Sequence, residues 1–156
     1  MSKPRILIVD DDAEFRALLR AIVREQACDV VEADSAERAL DLLPGNEPTA
    51  IFLDLGLPGM SGLDFLRRVS GMDCTIPVVV MTAQSSIPSA IAATRLGAYD
   101  YLVKPPPVER MPLILSHLIE VSALKRRVRD TPVSQALPLV GPSPAIQGLL
   151  IEICKV

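Results

Sequence analysis

Six polar residues sit directly after short apolar runs, and their types could together handle a phosphoryl group. Asp10-Asp11-Asp12 follow Ile6–Val9, Asp54 follows Ala50–Leu53, Thr82 follows Ile76–Met81, and Lys104 follows Tyr99–Val103. Carboxylates gathered at one place repel, so the group predicts a divalent cation between them. Oxygen-only ligands favour Mg2+ or Mn2+ over zinc. With such a cation bound, Asp54 can act as a carboxylate nucleophile and form an acyl phosphate. Lys104 would supply a compact positive charge to one phosphoryl oxygen, and Thr82 a hydroxyl hydrogen bond to another. Transfer of this kind depends on positioning and electrostatics, so no Ser, Cys or His triad is required. Each piece is weak alone: an Asp after a strand is commonly a helix cap, and an Asp before Pro-Gly a turn residue. The weight lies in their coincidence.

That coincidence requires the apolar runs to be neighbouring strands. With Val30–Ala33 there are five runs, most of them continuously apolar, as parallel strands covered on both faces are. Amphipathic stretches alternate with them. Phe15, Leu18, Leu19, Ile22 and Val23 form one apolar stripe at helical spacing. Ser35 can cap a second helix that ends near Leu43, before Pro44-Gly45. A third helix is expected from about Leu63 to Val69, and a fourth from Pro88 to Gly97. A fifth follows Pro105-Pro106-Pro107, provided Pro112 falls in its first turn. The fold class is therefore α/β, a doubly wound five-stranded parallel sheet. In such sheets ligands bind beyond the carboxyl ends of the strands, which is where the six residues fall.

The 156 residues are 49% hydrophobic but only 3% aromatic and lack Trp, which leaves little platform for stacking nucleic-acid bases. Residues 1–122 carry 11 Lys/Arg against 17 Asp/Glu, whereas residues 123–156 carry 5 against 2. An acidic body with a basic tail marks the tail as a separate segment. Cys28, Cys74 and Cys154 have no metal-ligand spacing and read as reduced thiols. The run Ile6–Val9 is too short for a signal peptide, and no segment is long enough to span a membrane. The expected location is the cytoplasm. His117 falls late in the last helix, remote from the strand ends.

The segments Ile6–Asp12, Phe52–Gly62, Val78–Ala83 and Gly97–Pro105 resemble those of response-regulator receiver domains, in the family's order, over about residues 4–122. The resemblance implies a flavodoxin-like receiver fold phosphorylated on Asp54 by a sensor histidine kinase. It implies Asp11 as direct metal ligand, Asp10 as a ligand through water, Asp12 as a helix cap, and the Gly56 carbonyl as a backbone ligand. Thr82 and Tyr101 take the places of the family's switch pair, which reshapes the face around the fourth and fifth helices. Lys104-Pro105 resembles the family's cis peptide. Three departures stand out: Gly56 replaces a bulkier residue, Lys-Pro-Pro replaces Lys-Pro-Phe, and Pro112 delays the fifth helix.

Met111, Ile114, Leu118, Val121 and Val128 approximate a heptad seam interrupted by Lys125. The pattern fits either a helix packed on the sheet that frays into Lys125–Arg129, or a last helix and linker that pair with a second copy of the chain; a homodimer is expected from the second. Residues 123–138 read as a helix extension followed by a flexible linker. Residues 139–156 resemble the opening of the AAA+ ATPase domain of nitrogen-regulator-type sigma-54-dependent activators. No phosphate-binding Gly-x-x-x-x-Gly-Lys-Ser/Thr loop and no helix-turn-helix is seen, so ATP hydrolysis and DNA binding are expected of parts beyond this chain. Two rival readings remain. One is a pseudo-receiver that serves only as an interaction or dimerisation module; retention of Asp10, Asp11, Asp54, Thr82 and Lys104 weighs against it. The other is an aspartyl-phosphate phosphatase resembling the haloacid-dehalogenase group, which would place a second Asp where Gly56 stands.

Overall fold

A computed structural model describes residues 3–72, 76–83 and 86–130, with side chains as far as 127. Residues 131–156, including the flexible part of the expected linker and the AAA+ opening, lie outside the described residues, as do Cys74 and Cys154; the expected helix extension from residue 123 is present as the end of the last helix. Strands β1 (Arg5–Val9), β2 (Asp29–Ala33), β3 (Ala50–Leu53), β4 (Val78–Thr82) and β5 (Asp100–Val103) alternate with helices α1 (Ala13–Glu25), α2 (Ala36–Asn46), α3 (Gly62–Met72), α4 (Ile87–Arg95) and α5 (Met111–Asp130). The sheet is parallel throughout, in the order β2-β1-β3-β4-β5. This is the doubly wound arrangement expected from the alternation.

Local chemistry explains the helix starts. Asp12 caps α1 by accepting from the amides of Glu14 and Phe15, Ser35 caps α2 and Ser86 caps α4. In α2 the helical backbone stops at Leu43, because Pro44 (ψ 130°) and Gly45 (φ +87°) leave the helical region. A single 3-10 turn, Val108–Arg110, precedes α5, and Pro112 sits in the first turn of that helix, where its missing N–H costs nothing.

Alternate strand residues feed two apolar layers. Leu7, Val9, Ile51, Leu53, Val78 and Val80 pack under α2, α3 and α4, with Phe65 and Leu66. Ile6, Ile8, Phe52, Val79 and Met81 pack under α1 and α5, with Leu19, Met111, Leu115 and Leu118. Two expectations are corrected here. Leu18, counted in the core-facing stripe of α1, is 42% exposed. Met111, Ile114 and Leu118, read as part of a pairing seam, are buried in the domain's own core and are not free to contact a second chain. Among the described residues no helix is long and apolar enough to cross a membrane.

Candidate functional site

Asp10, Asp54 and Lys104 are each reached by continuing the strand ladder for one more residue, and Thr82 is the last residue of β4 itself. The Asp10 amide donates to the Ala33 carbonyl (3.1 Å), Asp54 to Val9 (2.9 Å) and Lys104 to Thr82 (2.8 Å). The side chains thus start from backbone that the sheet holds rigidly, although their positions lie in loops. Asp10, Asp54 and Thr82 are buried to 2%, 8% and 6% exposure, and Asp11 is exposed.

The sequence-predicted residues Asp10, Asp11 and Asp54 come together: one carboxylate oxygen from each lies within 4.8 Å of the others. The Lys104 ammonium lies 2.5 Å from Asp10 Oδ2 and 3.8 Å from Asp54 Oδ2. The other Asp10 oxygen accepts from the Asp12 amide at 2.9 Å, so both of its oxygens are engaged. Asp54 Oδ1 accepts from the Gly56 amide at 3.2 Å. Burial pushes the Asp54 carboxyl above its ordinary range, and the charges of Asp10 and Asp11 add to this; the Gly56 amide and Lys104 oppose it. The arrangement is an oxygen-only donor set with more negative than positive charge, which suits a hard divalent cation.

Gly56 is exposed, and a Cβ added to it would stand 3.9 Å from both Asp54 carboxylate oxygens. A larger residue there would therefore flank the carboxylate, whereas glycine leaves that approach open. Tyr101 lies half-buried on β5, paired in register with Val80 and packed against the apolar layer under α4. Thr82 ends β4 opposite Val103. The Lys104-Pro105 peptide is cis. His117 is exposed on α5.

Sequence reasoning missed two contributors from α1. The Lys104 ammonium sits 4.1 Å from the centre of the Phe15 ring, which supports the charge on its apolar side. The Arg16 guanidinium donates to the Asp10 carbonyl at 2.6 Å and is itself braced by Glu32 at 3.4 Å. Phe15 registered only as a core position. Its place three residues after the Asp12 cap, with Arg16 next, puts both in the first turn of a helix that starts at the carboxyl edge, and that signal could have found them.

Comparison with known proteins gives a consistent family. Residues 6–116 match the family described as response regulator receiver domain. The transcriptional regulatory protein ZraR of Klebsiella oxytoca is 34% identical over 152 residues, covering 97% of this chain and 34% of that protein. The nitrogen assimilation regulatory protein NtrX of Azorhizobium caulinodans is 32% identical over 154 residues, covering 97% and 34%. The chain spans about a third of the length of these relatives. The crystal structure of NtrX from Brucella abortus in complex with ADP superposes with a TM-score of 0.74 at 32% identity, over 83% of this chain and 29% of that one.

Proposed function

This chain belongs to the response regulator receiver family, and from that premise we propose that it is a phosphorylation switch whose acceptor is Asp54. The observation that carries the reading is the triad of carboxylate oxygens within 4.8 Å, with the Lys104 ammonium beside two of the three residues. The donor is a phosphohistidine on a sensor histidine kinase, and the setting is the cytoplasm. Asp11 and Asp54, the Gly56 carbonyl and, through water, Asp10 would hold Mg2+ or Mn2+. When bound, the cation supplies charge neutralisation to the carboxylates and the incoming phosphoryl oxygens.

An Asp54 oxygen forms the new P–O bond as the donor's P–N bond breaks, and the histidine nitrogen leaves with the bonding pair. Lys104 offsets charge on one phosphoryl oxygen, and the Thr82 hydroxyl donates to another. Attack of water on phosphorus later restores the carboxylate and releases inorganic phosphate. Charge arriving on Asp54 favours a packing in which Thr82 moves toward it and Tyr101 turns inward, a population shift between two states. The face this alters carries exposed apolar side chains: Ile87 and Ile91 on α4, Tyr99 and Val103 about β5, Leu113 on α5. Because the core consumes Met111, Ile114 and Leu118, homodimerisation through α5 would use this face and Leu124, which is 57% exposed.

Residues 123–138 then act as the linker, and residues 139–156 open an AAA+ domain that the receiver controls in a sigma-54-dependent activator. Support comes from the alignment with ZraR and NtrX, which covers 97% of the chain and so runs well past residue 116. The ADP bound in the Brucella NtrX structure fits the same assignment. Transcriptional control is the output, and this portion neither binds nucleic acid nor hydrolyses ATP.

Incubation with Mg2+ and acetyl phosphate, followed by intact-mass measurement, tests the central step. Wild-type protein is expected to gain one phosphoryl group, and Asp54→Asn none. A wild type that stays unlabelled beside a labelled control receiver would favour the pseudo-receiver reading, and labelling that persists in Asp54→Asn would place the acceptor elsewhere.

A further inference from the structure

The loop from Asp54 to Ser61 carries the acceptor at one end and Gly56 two residues later. Its ends are fixed by backbone bonds, Asp54 N–H to the Val9 carbonyl (2.9 Å) and Gly62 N–H to the Leu55 carbonyl (3.4 Å). Leu57 and Met60 pack against the apolar layer under α2 and α3, which sets the depth of the loop but not its direction. Ser61 joins the loop to α3 by accepting from the amides of Asp64 and Phe65 (3.1 Å each). Between Pro58 and Met60 the tie to another element is the Met60 amide, which donates to Glu37 Oε1 at 2.7 Å. Glu37 stands in the first turn of α2, a helix that contributes no side chain to the carboxylate cluster.

Gly59 provides a second, independent sign of the same contact. Its φ of +76° is one that side-chain-bearing residues rarely adopt, and a Cβ there would lie 3.1 Å from Glu37 Oε1 and 3.4 Å from Oε2. The turn is therefore folded closely against the carboxylate, and its dihedral calls for a glycine. A carboxylate accepting from a backbone amide makes a charge-assisted bond, stronger than a neutral one.

We propose that Glu37 is a positioning residue for the cation site: its carboxylate grips the Met60 amide and thereby holds the loop that presents Asp54 and the Gly56 carbonyl. This rests on the cation site described under Proposed function. Divalent-cation affinity then depends on a side chain that never touches the cation, as outer partners of metal ligands commonly do. A purely structural Glu37, favourable only as an acidic residue at a helix N-terminus, would affect folding stability and leave cation affinity alone.

Mg2+ titration by calorimetry on the full chain separates the two, comparing wild type, Glu37→Ala and Glu37→Gln at a temperature where all three are folded. Glu37→Ala is expected to weaken Mg2+ binding several-fold, toward about 10-fold, and to speed hydrogen exchange at the Met60 amide. Glu37→Gln keeps an acceptor oxygen but loses the charge, and should fall between wild type and Glu37→Ala. Equal affinity in wild type and Glu37→Ala would overturn the positioning role while leaving the cation site intact. A Gln variant as weak as the Ala variant would overturn the hydrogen bond as the cause. A wild type that binds no Mg2+ would overturn the cation site itself, and this role with it.

Discussion

At the amino edge of the sheet the strand ends are closed by the chain's own groups. Asp29 N–H reaches the Pro4 carbonyl (2.8 Å), Thr49 N–H the Arg5 carbonyl (2.7 Å) and Tyr99 N–H the Val78 carbonyl (2.7 Å). The Arg5 guanidinium caps the Asn46 carbonyl at 2.9 Å. At the carboxyl edge the backbone is equally well paired, yet the side chains are not balanced: three carboxylates face one ammonium. The same five strands thus end in an edge closed by the chain's own groups and in one that gathers more negative than positive charge. Stability and chemistry are assigned to opposite ends of one scaffold, as the ligand-binding rule for doubly wound sheets requires.

The largest perturbation should come where the two requirements meet in backbone. A Cβ at Gly62 would lie 2.5 Å from the Asp54 carbonyl oxygen and 2.6 Å from Leu55 Cα, distances that rigid backbone cannot relieve cheaply. Gly62→Ala is expected to cost about 2–3 kcal/mol of folding stability and to lower acetyl-phosphate labelling of Asp54 as the loop shifts. Urea unfolding and intact-mass labelling read the two effects. A loss below about 0.5 kcal/mol, within the range of ordinary surface substitutions, would mean that the carboxyl-edge loop is more compliant than the strand ends suggest.

Next in size is the electrostatic cost of the open edge. Burial and neighbouring carboxylates raise the Asp54 pKa in the folded chain above its ordinary 3.8. The folded state then holds more protons than the unfolded state just above pH 3.8, so stability falls as pH rises through that window. Asp54→Asn removes the titrating group. Without divalent metal, the variant should match wild type at low pH and gain on it as pH rises above 3.8, seen as a higher Tm near neutrality. Mg2+ should narrow the gap by stabilising wild type more. A variant no more stable than wild type at neutral pH in chelator would show that Lys104 already balances the cluster.

Much of this division can be read in the sequence, because it rests on residues that follow apolar runs. Asp10, Asp54, Thr82 and Lys104 each sit one step beyond a strand pattern, and period alone places them at one edge. Boundaries shift where chemistry intervenes: β4 begins at Val78 rather than Ile76, since Pro77 has no amide to offer and its carbonyl accepts from Ile51 at 3.0 Å. Contacts between elements were not legible. Phe15 against Lys104, Arg16 against the Asp10 carbonyl and Glu37 against Met60 join residues whose partnership depends on how helices land on the sheet. The heptad-like spacing in α5 misled for a related reason: a helix packed on a sheet and a helix packed on its copy bury the same kind of stripe.

The smallest expected effect tests the satisfied edge at its one visible lapse. A cavity of about 400 Å³ opens there, lined by Arg5, Thr49, Ser122 and Arg126 among others. Ser122 is 1% exposed, and among the described residues its hydroxyl is the buried side-chain group without a hydrogen-bond partner. A hydroxyl desolvated without compensation is a liability, so Ser122→Ala should be neutral or stabilise the fold by up to about 1 kcal/mol. Because Ser122 lies at the edge opposite the carboxylates, Mg2+ affinity and Asp54 labelling should remain unchanged. A destabilised Ser122→Ala would mean that the hydroxyl is paired in solution, through water or a ligand in that cavity. Altered Mg2+ affinity in this variant would break the comparison more deeply, because the two edges would then be coupled through α5 rather than independent.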